Sequence, residues 1–478
     1  MRLRRAFAVI ALLATGCSVG PNYLRPSVPT PAEWKEAAAW KIAEPREEAA
    51  RGPWWTVYND ETLAGLEATV ESANQNVAAA EARFREARAL VSAARADWYP
   101  TVTLGVSATR SRNSKNIGTG QGVGGRTESD FAMPLSINWE LDVWGRIRRE
   151  VESQKASAQA SAADLASIRL SMQAELATDY FRMRTLDAQR RLLDATVDAF
   201  AKSLELTRNR YAGGIASRAD VVQAETQLAS TRAQTIDLGV ERAQTEHAIA
   251  VLTGKSPADL SFGNAPLDAA PPDVPPGVPA VLLERRPDVA AAERRVAAAN
   301  AQIGVAEAAY FPTVQLSATG GFESNDIAKW LVWPSRFWSF GPAVSETVFD
   351  GGRRGALTAQ ARATYDETVA VYRQSTLTAF QQVEDALAAL RLLEEEARVQ
   401  NDAVAAARDS VRILTNQYKA GITSYLEVVT TQTTALANER TAVDILGRRL
   451  AASVLLVQSL GGGWQTDDLP PPPALAAD

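Results

Sequence analysis

The residue with the most specific chemistry in these 478 residues is Cys17, the only cysteine of the chain. Ahead of it stand Arg2, Arg4 and Arg5, then an apolar run from Ala6 to Ala14, then the small residues Thr15 and Gly16. That order is a secretory signal, too short to span a membrane. A thiol directly after small residues reads as a lipobox cysteine that is acylated and becomes the mature N-terminus; the alternative is an ordinary signal-peptidase site. Ala14 departs from the leucine usual three places before such a cysteine. Ser18 follows Cys17, with no aspartate to retain a lipoprotein at the inner membrane, so the expected address is the outer membrane.

A second group of residues is defined by repetition. The segment RYAGGIASRADVVQAE, Arg210 to Glu225, returns as QYKAGITSYLEVVTTQ, Gln417 to Gln432. Tyr211 matches Tyr418, Gly214 matches Gly421, Ser217 matches Ser424 and Asp220 matches Glu427, at a spacing of 207 (418 − 211). Each copy has the pattern of a helix that ends on a left-handed glycine and restarts after a serine, with an acid in the new first turn. An acid at that place suits the positive end of a helix, whatever else it does.

Little else could be reactive. With 1 His and 1 Cys among 50 Lys+Arg and 56 Asp+Glu, disulfides, zinc sites and Cys or His nucleophiles are almost excluded. A net charge of −6 argues against nucleic acid. The run GTGQGVGG, Gly118 to Gly125, lies between two amphipathic strand patterns, not between a strand and a helix, so it reads as a loop tip and not a phosphate cradle. Acid pairs on long helices are the usual solvated faces. The chain is expected not to be an enzyme and to need no cofactor or metal beyond a covalent lipid on Cys17.

These residues must be positioned by a duplicated scaffold. NVAAAEARF from Asn76 matches DVAAAERRV from Asp288, and WYPTVTLGVSAT from Trp98 matches YFPTVQLSATGG from Tyr310. The expected divisions are 1–17 signal and lipobox, 18–60 extended tail, 61–265 and 266–470 the repeats, and 471–478 a C-terminal tail. The Pro-rich stretch from Gly254 to Pro279 between the halves cannot be helix and reads as a linker strapped along the surface. Each half reads helix, strand, strand, helix, helix. Asp142 to Tyr211 holds no proline over about 70 residues, a rod of about 105 Å, and Ala156, Ala158, Ala160, Ala162 and Ala163 let a second helix approach closely.

Val102, Leu104, Val106 and Ala108 alternate with polar residues, as do Phe131 to Leu141 and Val314 to Ala318; Phe340 to Phe349 follows less cleanly, and Glu346 predicts a bulge or register shift. Trp98, Tyr99, Trp144, Tyr310, Phe311 and Phe349 cluster at strand ends. Such strands, apolar on one face and girdled by aromatics, mark a transmembrane barrel. Four strands cannot close one, so protomers must pool them, eight in a dimer or twelve in a trimer. The segments Arg110 to Asp130 and around Trp330 and Trp333 are then extracellular tips.

LLERRPDVAAAERRVAAANAQIGVAEAAYFPTVQL, from Leu282, resembles the signature of the outer membrane factors, the TolC-like channels of tripartite efflux pumps. CSVGPNYLRP, from Cys17, resembles the mature start of their nodulation-type lipoprotein branch, which serves resistance-nodulation-division pumps. The resemblance implies a mainly α protomer with four transmembrane β-strands, a shared twelve-stranded barrel in a homotrimer, and a long periplasmic tunnel of twelve helical positions. It implies as partners a periplasmic membrane fusion (adaptor) protein, an inner-membrane pump and outer-membrane lipid, with small molecules as cargo. It further implies a gate at the periplasmic tips, with Tyr418 and Asp220 as an interhelix latch and Glu427 as an acidic ring selective for cations. Where the family often has a second acid one turn beyond Glu427, this chain has Thr430. Arg210, Arg218 and Tyr425 are the alternative closing residues. A duct for protein secretion, or a periplasmic coiled coil without a pore, are the competing functions.

Overall fold

The computed structural model describes residues 18–36, 53–112, 114, 116, 125, 127–272 and 285–475. Cys17, most of the 113–126 loop and part of the linker lie outside the described residues. The elements are α1 (Glu61–Ala73), α2 (Gln75–Ala96), β1 (Thr101–Leu104), β2 (Ser107–Arg112), β3 (Thr127–Leu141), α3 (Arg146–Ala212) and α4 (Arg218–Leu252) in the first half. The second half has α5 (Pro287–Ala308), β4 (Thr313–Ser324), β5 (Arg336–Ser345), α6 (Arg353–Lys419) and α7 (Tyr425–Ser459). No helix among the described residues is long and apolar enough to cross a membrane.

The sheet runs β1/β2–β3–β4–β5, antiparallel throughout. Its register gathers Val102, Leu104, Ile137, Leu135, Ala318 and Phe340 on one face and Thr103, Ser136, Thr319 and Ser339 on the other. β1 and β2 are one strand interrupted opposite Pro134: both keep the same register against β3, and Pro134 has no N–H to donate, so pairing lapses for two residues. Its carbonyl still accepts from Gly105 N at 2.9 Å. The bulge expected near Glu346 is absent: the β4–β5 ladder is continuous and ends at Ser345, leaving Glu346 and Phe349 beyond the strand. β5 begins at Arg336, four residues before the expected start, and β2 reaches Arg112, inside the segment expected to be loop.

Below the sheet, α3 and α6 are the two rods, each 67 residues and thus about 100 Å. In the upper part the side-by-side order is α2–α3–α5–α6; in the lower part it is α4–α3–α7–α6. The short helices therefore stack end to end, α2 on α4 and α5 on α7. The joints are chemically parallel. Asn74, the N-cap of α2, donates its amide to Leu252 O at 2.8 Å, and Arg286, the N-cap of α5, donates to Ser459 O at 3.1 Å. Gly254 and Gly461, at the matching sites, hold φ of +68° and +95°, and a Cβ on either would collide with the carbonyl of Ala73 or Arg285. Only glycine fits there.

The first half carries an addition over this joint. Trp54, Trp55 and Tyr58 with α1 seal an apolar cluster against Leu176, Phe181, Ile249 and Leu450. The described part of the linker from Leu260 lies along α3 and α4, tied by Arg242 to Phe262 O (2.7 Å) and by Arg184 to Gly263 O (3.2 Å). Both arginines meet the fully buried Asp187.

Within this girdle Glu67 is wholly buried, with no hydrogen-bond partner for either carboxyl oxygen among the described residues. Desolvation pushes its pKa up to about 9, so it is neutral at pH 7. The folded state keeps this proton, while the unfolded chain releases it above the ordinary glutamate value of 4.5. Stability is therefore fullest below that value and falls as pH rises toward about 9. We predict that Glu67→Gln raises the melting temperature at pH 8 and changes it little at pH 4; equal melting curves at pH 8 would refute the assignment.

Candidate site at the helical tips

The far ends of the rods form two turns of identical construction. After α3, Ile215 N donates to Arg210 O (2.8 Å) and Gly214 N to Tyr211 O (2.9 Å); after α6, Ile422 N donates to Gln417 O (2.9 Å) and Gly421 N to Tyr418 O (3.0 Å). These are Schellman closures, and they require the φ of +73° and +76° at Gly214 and Gly421. Both glycines thus do what their sequence position predicts.

The two tyrosines differ. Tyr211 is 46% exposed, whereas Tyr418 is 4% exposed. Tyr418 packs on Tyr425 (ring centroids 5.5 Å apart) in a cluster with Phe200, Leu204, Val221 and Val428. Its hydroxyl lies 3.3 Å from Thr207 Oγ1. Arg210 crosses from α3, stacks over the Tyr418 ring at 4.6 Å and donates to the carbonyls of Tyr418 (2.9 Å) and Lys419 (3.3 Å). A cation on the last carbonyls of α6 complements that helix end. Tyr425 lies on the same cluster, its hydroxyl 3.5 Å from Ser203 Oγ.

The Tyr418–Asp220 hydrogen bond expected from resemblance is not made within the protomer. Asp220 closes a capping box: Oδ2 accepts from Ser217 N and Ser217 Oγ, both at 2.9 Å, and Ser217 Oγ accepts from Asp220 N at 3.2 Å. Its Oδ2 is turned to its own helix start, and Tyr418 takes a hydroxyl partner instead. Glu427 holds the same place in α7 and is exposed; it accepts from Thr423 Oγ1, and Ser424 makes no side-chain cap. Arg208 and Glu225 pair at 2.7 Å, and that bond holds the Glu225 carboxyl below the usual range.

Thr207 as the partner of Tyr418 was not legible in the sequence. It stands one turn before Tyr211 on the same helix, but its counterpart in the other half is Leu414, so repetition does not point to it. Among the described residues no three His, Cys, Asp or Glu side chains are grouped to hold a metal ion. What the tip can do is mechanical and electrostatic: hold four helix ends together and present acids at their first turns.

A family model described as outer membrane efflux protein matches residues 68–255 and 278–462, the two repeats. The chain belongs to that family. It is 32% identical over 463 residues to the toluene efflux pump outer membrane protein TtgC of Pseudomonas putida, covering 96% of this chain and 95% of the relative. To the pyoverdine export outer membrane protein OpmQ of Pseudomonas aeruginosa it is 30% identical over 461 residues, covering 95% and 96%. Among solved structures it resembles the outer-membrane channel OprN at 31% identity with a TM-score of 0.87, over 94% of this chain and 100% of that one. It resembles CusC, described for transmembrane channel formation, at 26% and 0.82, over 93% and 100%. The fold is thus that of the outer membrane factors, with tandem repeats and long helices.

Because Tyr418 and Asp220 share no contact in the protomer, their stability effects should add. We expect Tyr418→Phe to cost about 0.5–1.5 kcal/mol and Asp220→Ala about 0.5–2 kcal/mol. The double variant should fall within about 0.5 kcal/mol of the sum. A coupling above about 1 kcal/mol in urea unfolding would restore the latch.

Proposed function

We propose that three copies of this chain close into an outer-membrane exit duct of a tripartite efflux system, passing small molecules from an inner-membrane pump through an adaptor to the outside. The observation that carries this is that the protomer is open on the same two sides at every level. In the sheet, β1/β2 and β5 are unpaired edges; in the wall, α2 and α4 bound one side and α6 the other. Lipid does not tolerate an unpaired strand edge, so β5 of one copy must pair with β1/β2 of the next. Four strands and four helical positions per copy, taken three times, give the twelve-stranded barrel and twelve-position tunnel that the resemblance implies. The toluene and pyoverdine named for the relatives support small molecules as cargo, and the efflux pump named for the first supports a pump as partner. That this pump is of the resistance-nodulation-division type and is reached through a membrane fusion adaptor is what the resemblance of the Cys17 and Leu282 segments implies.

The lipid on Cys17 fits this frame. Ser18, the next residue, lies against Gly145 at the junction of β3 and α3, and Val19 N donates to Trp144 O at 3.0 Å. Trp144 stacks on Phe311 at 4.8 Å and donates to Pro312 O at 2.8 Å, while Trp139 donates to Trp98 O at 2.9 Å. This aromatic belt is the membrane interface on the periplasmic side, where an acyl chain on Cys17 would enter the inner leaflet. From there the tail runs down the wall, with Arg149 held by Val19 O and Gly20 O and Asn300 by Pro21 O. At the tips, Asp220 and Glu427, repeated around the axis, form the acidic constriction, with Tyr418 in its closed packing.

In planar bilayers the purified protein should conduct with cation preference, and Glu427→Gln should lower that preference severalfold without abolishing conductance. A non-conducting protein would leave only a structural role. Palmitate labelling should mark wild type and not Cys17→Ser, which should still assemble; equal labelling would refute the anchor.

A further inference from the structure

The charged residues of the sheet are sorted by sign. Arg110 and Arg112 of β2 pair in register with Ser129 and Thr127, and Arg336 of β5 pairs with Phe322. All three belong to the face that carries Val102, Leu104, Phe131, Leu135, Trp338 and Phe340, which faces lipid. Glu128, Asp130, Glu323 and Glu140 pair with Ser111, Thr109, Ala132 and Gln315 and belong to the opposite face, which lines the lumen. A cation on the lipid side of a barrel is tolerated only near an interface, where it meets an anion or water.

Its height follows from the strand ends. Arg110 is nine residues from the periplasmic start of β1 at Thr101, and Arg336 is nine residues from the periplasmic end of β5 at Ser345. At about 3.3 Å per residue and a tilt of about 40° both stand about 23 Å above the periplasmic rim, the height of an outer-membrane apolar band. They reach the outer-leaflet headgroups together. Since β2 and β5 are the two edges of the protomer, closure sets Arg110 and Arg112 of one copy beside Arg336 of the next.

Among the described residues no carboxylate pairs with Arg110, Arg112 or Arg336. The segment Asn113 to Arg126 that follows β2 contains no acid and adds Lys115 and Arg126. Asp326, the one acid of the other loop, faces Lys329 at 4.0 Å. Arg336 is also held in place: it stacks over Trp333 at 4.2 Å and donates to Trp333 O at 3.3 Å. Around it Leu331 and Trp333 are 61% and 71% exposed, an apolar rim continuous with the lipid face.

We propose that each seam between neighbouring protomers binds the phosphate groups of an anionic glycolipid of the outer leaflet, through Arg110 and Arg112 of one copy and Arg336 of the next, with the exposed aromatics against its acyl chains. Arginine suits a phosphate bidentately, and the low dielectric at the lipid boundary strengthens the contact. The site rests on the oligomeric duct proposed above.

The test uses the full protein, purified in detergent, mixed with bisphosphorylated lipid A or with the same lipid stripped of its phosphates, and measured by native mass spectrometry. The phosphorylated lipid should survive activation that removes phosphatidylethanolamine, at up to one molecule per seam. Arg336→Ala, and separately Arg110→Ala with Arg112→Ala, should each weaken retention about tenfold or more, with Arg336→Lys intermediate. Equal retention by wild type and variants, or equal retention of the stripped lipid, would overturn a lipid-phosphate site. Loss in only one of the two variants would overturn a site shared across the seam. A monomer in these spectra would overturn the oligomeric duct itself, whereas an intact oligomer without phosphate-dependent retention would overturn the seam site alone.

Discussion

A peptide group in hydrocarbon has no water to bond, and almost everything in this chain answers to that fact. Two strand pairs supply too few partners, so the sheet leaves β1/β2 and β5 open and commits the protomer to its copies. Each helix below continues from a strand or stacks on one that does, so the wall inherits the same two open sides. Even the exception conforms. Pro134 interrupts the ladder in mid-sheet, but it lies between Gly105 and Gly321, whose missing side chains let the three backbones close up. Its carbonyl remains bonded.

Duplication supplies the geometry, and divergence supplies the differences. The helix-to-helix joint is the same solution twice, an N-cap side chain reaching to the last carbonyl of the helix it stacks on. Asn74 does this with an amide, and it also caps its own helix by accepting from Asn76 N and Val77 N. Arg286 cannot accept, so it makes the bond across and pairs instead with Asp288 at 2.6 Å. The tips show the opposite case, one backbone closure with two environments. Tyr211 faces outward and Tyr418 inward, because Arg210 stands beside Tyr418 to cover its ring.

Elements set by periodicity were legible from residues alone. The proline-free run forecast a 67-residue helix to within four residues at its start, and the alternation gave the apolar face of the first three strands, while the fourth was displaced by four residues. The glycines at the turns were legible because only a left-handed residue ends such helices. What failed were features decided by partners far away in sequence. Glu346 looked like a flaw in a strand because its apolar neighbours Val348 and Phe349 extend the pattern, but the ladder stops when β4 ends at Thr313. The Tyr418–Asp220 pair failed for a local reason: Ser217, three residues before Asp220, offers a hydroxyl and an N–H at no cost in chain entropy. Tyr418, for its part, is buried in the apolar cluster with its hydroxyl beside Thr207, while Asp220 lies at the start of α4. Thr207 was invisible because a threonine in a long helix normally bonds its own backbone, as this one also does with Ser203 O.

That outcome changes which contacts hold the two hairpins of a protomer together. Bonds between Asp220 and Ser217 lie within the start of α4 and travel with it, so separating the hairpins leaves them intact. The contacts that cross from α3 to the second hairpin are different: the Arg210 stack on Tyr418, its bonds to two carbonyls of α6, the Thr207–Tyr418 hydroxyl pair and the Ser203–Tyr425 contact. Each must break if the hairpins part. A cation–π contact at a partly exposed site contributes about 0.5–1 kcal/mol and each hydrogen bond about 1 kcal/mol net. These polar contacts sum to only a few kcal/mol per protomer, and the apolar cluster that sets Phe200, Leu204 and Val221 against Tyr418, Tyr425 and Val428 adds to what must separate.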